Sequence, residues 1–142
     1  MKSQYLCIDL KSFYASVECV ERGLDPMTTN LVVADPDRSK GTICLAISPA
    51  MKKLGVKNRC RIYEIPPKIK HIVAPPRMQK YIEYSAEIYG VYLSFVSVDD
   101  IHVYSIDEAF IDVTKYLVYY KMTARELAIK IMQTIYEKVG IR

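Results

Sequence analysis

Three acidic residues stand where the pattern of the chain bends, and carboxylates at a bend can gather round a cation. Asp9 closes the apolar run Tyr5 to Leu10, and Asp107 with Glu108 fall between two alternating segments, Val96 to Tyr104 and Ala109 to Val113. Adjacent side chains in a regular strand point to opposite faces, so Asp107 and Glu108 can share a ligand only where the backbone turns. If the first strand lies beside this hairpin, Asp9 joins them. Three carboxylates so placed repel one another unless a divalent cation neutralises them, and oxygen-only donors favour Mg²⁺ or Mn²⁺ over zinc. Two such ions about 3.5–4 Å apart can activate an attacking hydroxyl and stabilise a leaving pyrophosphate, which is what nucleotidyl transfer requires. On spacing alone, turn-closing roles for Asp9 and Asp107 and a solvated Glu108 stand beside this reading.

The elements that must position these groups follow from the periodicity. Tyr5 to Leu10 reads as a buried strand, and Phe13, Val17 and Val20 recur at helical spacing within Ser12 to Glu21, with Gly23 and Pro26 ending the helix. Leu31 to Ala34 and Thr42 to Ile47 read as a hairpin about the polar turn Asp35 to Gly41. A short helix is expected over Ser48 to Leu54, with Pro49 in its first turn and Gly55 at its end. It is followed by the basic residues Lys57, Arg59 and Arg61. Pro66, Pro67, Pro75 and Pro76 bracket a strand around His71 to Ala74. The apolar positions from Met78 to Tyr92 fit an amphipathic helix with a tyrosine seam, which reads first as core packing. Thr123 and Glu126 form a capping-box pattern for a helix that stops at Gly140.

With 51% hydrophobic and 25% charged residues in 142, the chain has apolar mass enough for a core, and disorder is excluded. A formal charge of +4 permits phosphate contact without requiring it. Cys7, Cys19, Cys44 and Cys60 contain no C-x-x-C pair and are expected to be packing thiols. No run approaches the roughly 18 apolar residues of a membrane span, so no membrane contact is expected, and free thiols suit the cytoplasm.

The run Ile8 to Glu18, reading IDLKSFYASVE, resembles the first motif of the Y-family translesion DNA polymerases. Tyr104 to Thr114, reading YSIDEAFIDVT, resembles their second motif even more closely. Among the branches, the chain is most similar to the UmuC-like proteins of bacteria. The resemblance implies a DNA-directed DNA polymerase for error-prone translesion synthesis in DNA repair and the SOS response, acting on primed template DNA and dNTP. Asp9, Asp107 and Glu108, with the backbone carbonyl of Leu10, would be the ligands of two Mg²⁺ ions, and Mn²⁺ could substitute. Phe13 and Tyr14 would bind the nucleotide, and Tyr14 would be the steric gate that blocks a ribose 2′-hydroxyl. At the position of the family's triphosphate-binding Tyr stands Pro49, which offers no hydroxyl and no N–H, so Ser48 and Lys52 are expected to bind the triphosphate.

The implied fold is α/β, more fully α+β: an antiparallel palm sheet backed by helices, with a small fingers insertion. Its divisions are palm over 1–24, fingers over 25–76 and palm again over 77–142. The family's next palm strand, thumb and little finger have no counterpart here, so poor activity in isolation is expected. A sliding clamp would be engaged through those further regions, and the location would be the bacterial cytoplasm at the nucleoid. Two other readings remain at this level. Paired acids on a hairpin also serve nucleotidyl cyclases, and the basic block Lys52 to Arg61 could mark a non-catalytic DNA-binding module.

Overall fold

The computed structural model describes residues 2–35, 37 and 41–141, so Pro36, Arg38, Ser39 and Lys40 of the expected polar turn lie outside the described residues. The chain divides into two units, Met1–Leu10 with Ile82–Arg142, and Lys11–Tyr81. The first unit is therefore discontinuous in sequence. Its boundaries fall at Leu10/Lys11 and Tyr81/Ile82, where the sequence divisions stand at 24/25 and 76/77.

The first unit carries an antiparallel sheet of three strands, β1 (Tyr5–Asp9), β5 (Ile101–Ser105) and β6 (Glu108–Asp112), in the order β1-β6-β5. Ile8, Ala109, Ile111 and Ile101 are buried on one face. The helix α5 (Ala124–Val139) packs against β1, burying Leu127, Ile131 and Ile135 at i, i+4 and i+8. It opens with the expected capping box, Glu126 N–H donating to Thr123 Oγ1 at 3.2 Å and Thr123 N–H to Glu126 Oε1 at 3.1 Å. It closes on Gly140, whose φ of 84° suits glycine.

Two elements of this unit depart from the sequence pattern. Val96 to Tyr104 is not one strand: Ser97 caps a 3₁₀ turn over Val98–Asp100, and β5 begins only at Ile101. Asp99 and Asp100 favour turns over strands, and the Ser97 side chain accepts from Asp99 N–H. Thr114–Tyr120, left unassigned by pattern, forms a helix, α4. Its tyrosines explain it. The Tyr116 hydroxyl donates to Asp100 at 2.5 Å and accepts from Ser97 N–H at 2.8 Å, while the Tyr120 hydroxyl donates to the Phe95 carbonyl at 2.6 Å. The hydrogen bond from Tyr116, followed by that from Lys115, holds the Asp100 carboxyl below its ordinary value.

In the second unit β2 (Leu31–Val33) is central, flanked by β3 (Ala46–Ile47) antiparallel and β4 (Ile72–Ala74) parallel. All three β2 residues are fully buried, as a strand covered on both faces should be. The helix α1 (Phe13–Glu21) packs on β2 and β3, and Val32, Ala34, Cys44, Ile47, Met51, Cys60 and Ile65 form the core with α2 (Pro49–Lys53). The expected strand Thr42 to Ile47 is shorter, because Cys44 N–H turns to the Cys60 carbonyl and Ile43 bridges Arg61. Cys19, Cys44 and Cys60 are free and buried, Cys7 is free and exposed, and burial pushes the Cys44 thiol up to about 12. Among the described residues no helix is long and apolar enough to cross a membrane.

Candidate active site

The sheet register of the first unit decides where the acidic groups stand. Asp9 ends β1 directly opposite Glu108, the first residue of β6. The next residue along, Leu10, donates its N–H to the carbonyl of Asp107 at 2.9 Å, which carries the β1–β6 ladder to the edge of the turn. All three carboxyl-bearing residues are thus on one end of one strand pair, as the sequence analysis required of them.

The hairpin that presents Asp107 is tight. Only Ile106 and Asp107 join β5 to β6, and two-residue loops of this kind ordinarily take positive φ. Among the described non-glycine residues, positive φ occurs at Ser12, Arg59 and Lys121 only. The strand twist is accommodated instead by a register shift between Val103 and Ser105, which leaves Tyr104 as an extra residue on β5. Two hydroxyls then hold the loop. Ser85, on the helix α3 (Met78–Leu93), donates to the Ile106 carbonyl at 2.7 Å, and Ser105 donates to Asp107 Oδ1 at 3.0 Å. Neither serine was singled out by sequence, where a lone hydroxyl carries no signal.

Among the described residues no three or more His, Cys, Asp or Glu side chains are gathered as a metal-holding group. What fits a hard divalent cation is the donor chemistry and the backbone placement: carboxylates of Asp9, Asp107 and Glu108 and the Leu10 carbonyl are all oxygen donors at one sheet end. Drawing three like charges together takes the compensating charge of a cation.

The second unit holds the other sequence-derived candidates. Ser12 is the N-cap of α1, in the left-handed region at φ 56°, and makes no side-chain cap; its Oγ is buried without a hydrogen-bond partner. A non-glycine residue held there costs about 1–2 kcal/mol. Phe13 and Tyr14 form the first turn of α1, directly after Ser12. Phe13 is buried, while Tyr14 is half-buried and stacks on Tyr81 with ring centroids 4.5 Å apart and planes 13° from parallel.

Ser48 is corrected by the structure. Its hydroxyl is fully buried, donating to the Thr29 carbonyl at 2.6 Å and accepting from Leu31 N–H at 3.2 Å and Met51 N–H at 3.4 Å. It is the N-cap of α2 and a tie to β2, with its hydrogen-bonding capacity spent, so it has nothing to offer a phosphate. Ser48→Ala is expected to cost about 1–2 kcal/mol in denaturant unfolding and to leave triphosphate affinity unmoved. The reverse pattern would return Ser48 to the phosphate. Pro49 takes the first turn of α2, and Lys52, half-buried, lies in its last turn.

One cluster was missed by sequence. Glu18 is fully buried on α1, yet it accepts from Arg22 Nη1 at 2.6 Å, Arg77 Nη2 at 2.5 Å, Arg77 Nε at 3.1 Å and the Tyr81 hydroxyl at 2.7 Å. Burial alone would raise the Glu18 carboxyl, but hydrogen bonds from Arg77, Arg22 and Tyr81 together outweigh it and hold the carboxyl below its ordinary value. The Glu18–Arg22 spacing of four was visible in sequence; Arg77, 59 residues away, was not.

The model of the impB/mucB/samB family matches residues 8–142. UvrX of Bacillus subtilis is 42% identical over 115 residues, covering 80% of this chain and 28% of that protein. DNA polymerase IV 2 of Halalkalibacterium halodurans is 37% identical over 136 residues, covering 95% of this chain and 32% of that one. Among solved structures, a Y-family DNA polymerase chimera matches with a TM-score of 0.77 at 30% identity, over 96% of this chain and 40% of that chain. An insertion ternary complex of Dbh DNA polymerase matches with a TM-score of 0.76 at 30% identity, over 96% and 40% respectively. The chain thus spans between a quarter and two fifths of the length of these relatives.

Proposed function

We propose, from the premise that this chain belongs to the impB/mucB/samB family, within the Y-family DNA polymerases, that it forms the palm and fingers of an error-prone translesion polymerase. The observation that carries this reading is the register that sets Asp9 opposite Glu108 and ties Leu10 to Asp107. The reaction is attack of a primer 3′-hydroxyl on the α-phosphate of a dNTP, forming a phosphodiester bond and releasing pyrophosphate. Asp9, Asp107, Glu108 and the Leu10 carbonyl would hold two Mg²⁺ ions, for which Mn²⁺ could substitute. When bound, the ions supply charge neutralisation at the triphosphate and ease ionisation of the 3′-hydroxyl.

The chain's own residues then orient the reactants. Ser105 fixes one oxygen of Asp107 and Ser85 fixes the loop that carries it, so the carboxylate is aimed before substrate arrives. Phe13 and Tyr14, in the first turn of α1, would bind the nucleotide, and Lys52 would add a point charge at the triphosphate rather than a bidentate fork. Primed template DNA and dNTP are the substrates by analogy with the ternary complex of Dbh DNA polymerase. A sliding clamp, the SOS response and a cytoplasmic, nucleoid-associated setting belong to the same reading, which the free cysteines suit.

The test is calorimetric titration of Mn²⁺ with dCTP into this chain and into Asp107→Ala at matched salt. Heat of binding in the parent and none in the variant is expected; equal binding in both would remove the carboxylates from the site. A second outcome concerns sugar choice. In a polymerase polypeptide carrying residues 1–142, Tyr14→Ala should raise the use of CTP relative to dCTP on the order of 10²-fold, because the ring no longer excludes a 2′-hydroxyl. An unchanged ratio in single-nucleotide insertion would end the steric-gate role.

A further inference from the structure

Tyr14 and Glu18 lie four residues apart on α1 and so on one face of the helix, and Tyr81 touches both. Its ring lies nearly parallel beneath that of Tyr14, and its hydroxyl donates to Glu18 Oε2 at 2.7 Å. Tyr81 is itself fully buried. The carboxylate that receives its hydroxyl is clamped by two guanidiniums, Arg22 on one oxygen and Arg77 on both, so it is not free to follow a moving ring.

We propose that Tyr81 is a positioning residue for the Tyr14 ring, so that the choice between deoxyribose and ribose depends on a side chain outside the nucleotide's reach. The inference rests on the steric-gate reading of Tyr14. A tyrosine on a helix has more than one staggered χ1 well open to it, and a half-exposed ring chooses among them by its neighbours. Phe13, the other aromatic neighbour, is tilted 56° to Tyr14 at 6.0 Å and offers an edge rather than a plane. Tyr81 offers the plane. A swing of the ring about χ1 would carry the hydroxyl away from Glu18, and close packing round the fully buried side chain resists turning of its plane, so the stack is held at both ring and hydroxyl. A gate excludes a single oxygen atom only if its ring edge is fixed to within a fraction of an ångström, and steric selection weakens once the ring can swing aside.

Two measurements test this. In the 142-residue chain with 3-fluorotyrosine, ¹⁹F NMR of residue 14 should show one ordered ring environment. Tyr81→Leu should broaden or split that signal, and Tyr81→Phe, which keeps the plane and loses the hydroxyl bond, should fall between. In single-nucleotide insertion by a polymerase polypeptide carrying residues 1–142, Tyr81→Leu should raise the CTP-to-dCTP ratio about tenfold. The change should lie in the KM for CTP, whereas a merely structural loss would lower turnover of both nucleotides together. If Tyr81→Leu does not fold, Tyr81→Phe carries the test with a smaller rise in the same direction. An unmoved ¹⁹F signal, or an unmoved ratio in the Tyr81 variants while Tyr14→Ala changes it, overturns the inference and leaves the gate standing. An unmoved ratio in Tyr14→Ala brings down the gate itself.

Discussion

Asp107→Ala in a polymerase polypeptide carrying residues 1–142 is expected to lower primer extension on the order of 10³-fold or more while leaving the fold intact. The two halves of this expectation come from different atoms of one residue. The carboxylate is the proposed cation ligand, and loss of charge neutralisation at a transferring phosphoryl group costs about that much or more. The fold depends on the main chain, because the Asp107 carbonyl accepts from Leu10 N–H and alanine retains that carbonyl. Ser105, which donates to the carboxylate, loses one half-buried hydrogen bond worth about 1 kcal/mol. Asp9→Ala and Glu108→Ala should lose extension comparably. Extension equal to the parent, with matched unfolding curves, would remove the carboxylate from the chemistry.

The largest effect on stability is expected at Glu18. Glu18→Ala strands two guanidiniums and the Tyr81 hydroxyl, and breaking a buried charge network from one side costs about 3–5 kcal/mol. The lower end applies, since the side chains of Arg22 and Arg77 remain 33% and 42% exposed and water can reach them. Glu18→Gln keeps an acceptor for Tyr81 and should cost less. The carboxyl also sets a pH dependence. Its folded-state value lies below the ordinary 4.5, so the unfolded chain binds the proton more readily. Its stabilisation is fully present above about pH 4.5 and is lost as pH falls through the folded value. Urea titrations from pH 6 downward should show the parent losing this contribution and Glu18→Gln lacking it. Parallel pH profiles would mean that Glu18 is not ionised in the fold.

Much of this was legible in one dimension because it is local. The capping box at Thr123 and Glu126, the stop at Gly140, the buried β2 and the helix over Met78–Leu93 all follow from side chains acting on backbone a few residues away. Ser48 shows where local reading fails. Its place before Pro49 marks equally a phosphate-binding hydroxyl and a helix cap, and only the proximity of Thr29 and Leu31 decides for the cap. The helix α4 fails in the opposite direction. Thr114, Tyr116, Val118, Tyr119 and Tyr120 favour a strand by propensity, and hydrogen bonds to Asp100, Ser97 and Phe95 override it.

By itself the sequence determined the chemistry available to this protein: which carboxylates flank a bend, which aromatic follows the first of them, and which helices and strands carry both. Side-chain type and short-range periodicity suffice for that, since each acts within a turn or a pleat. The tertiary structure alone decided which distant groups meet. It set β1 rather than another strand beside β6, so that Asp9 faces Glu108, and it brought Arg77 and Tyr81 to a glutamate some sixty residues earlier. Register and burial depend on the whole core, where one residue of slip would turn every side chain of β1 to the other face. No short stretch of sequence contains that information.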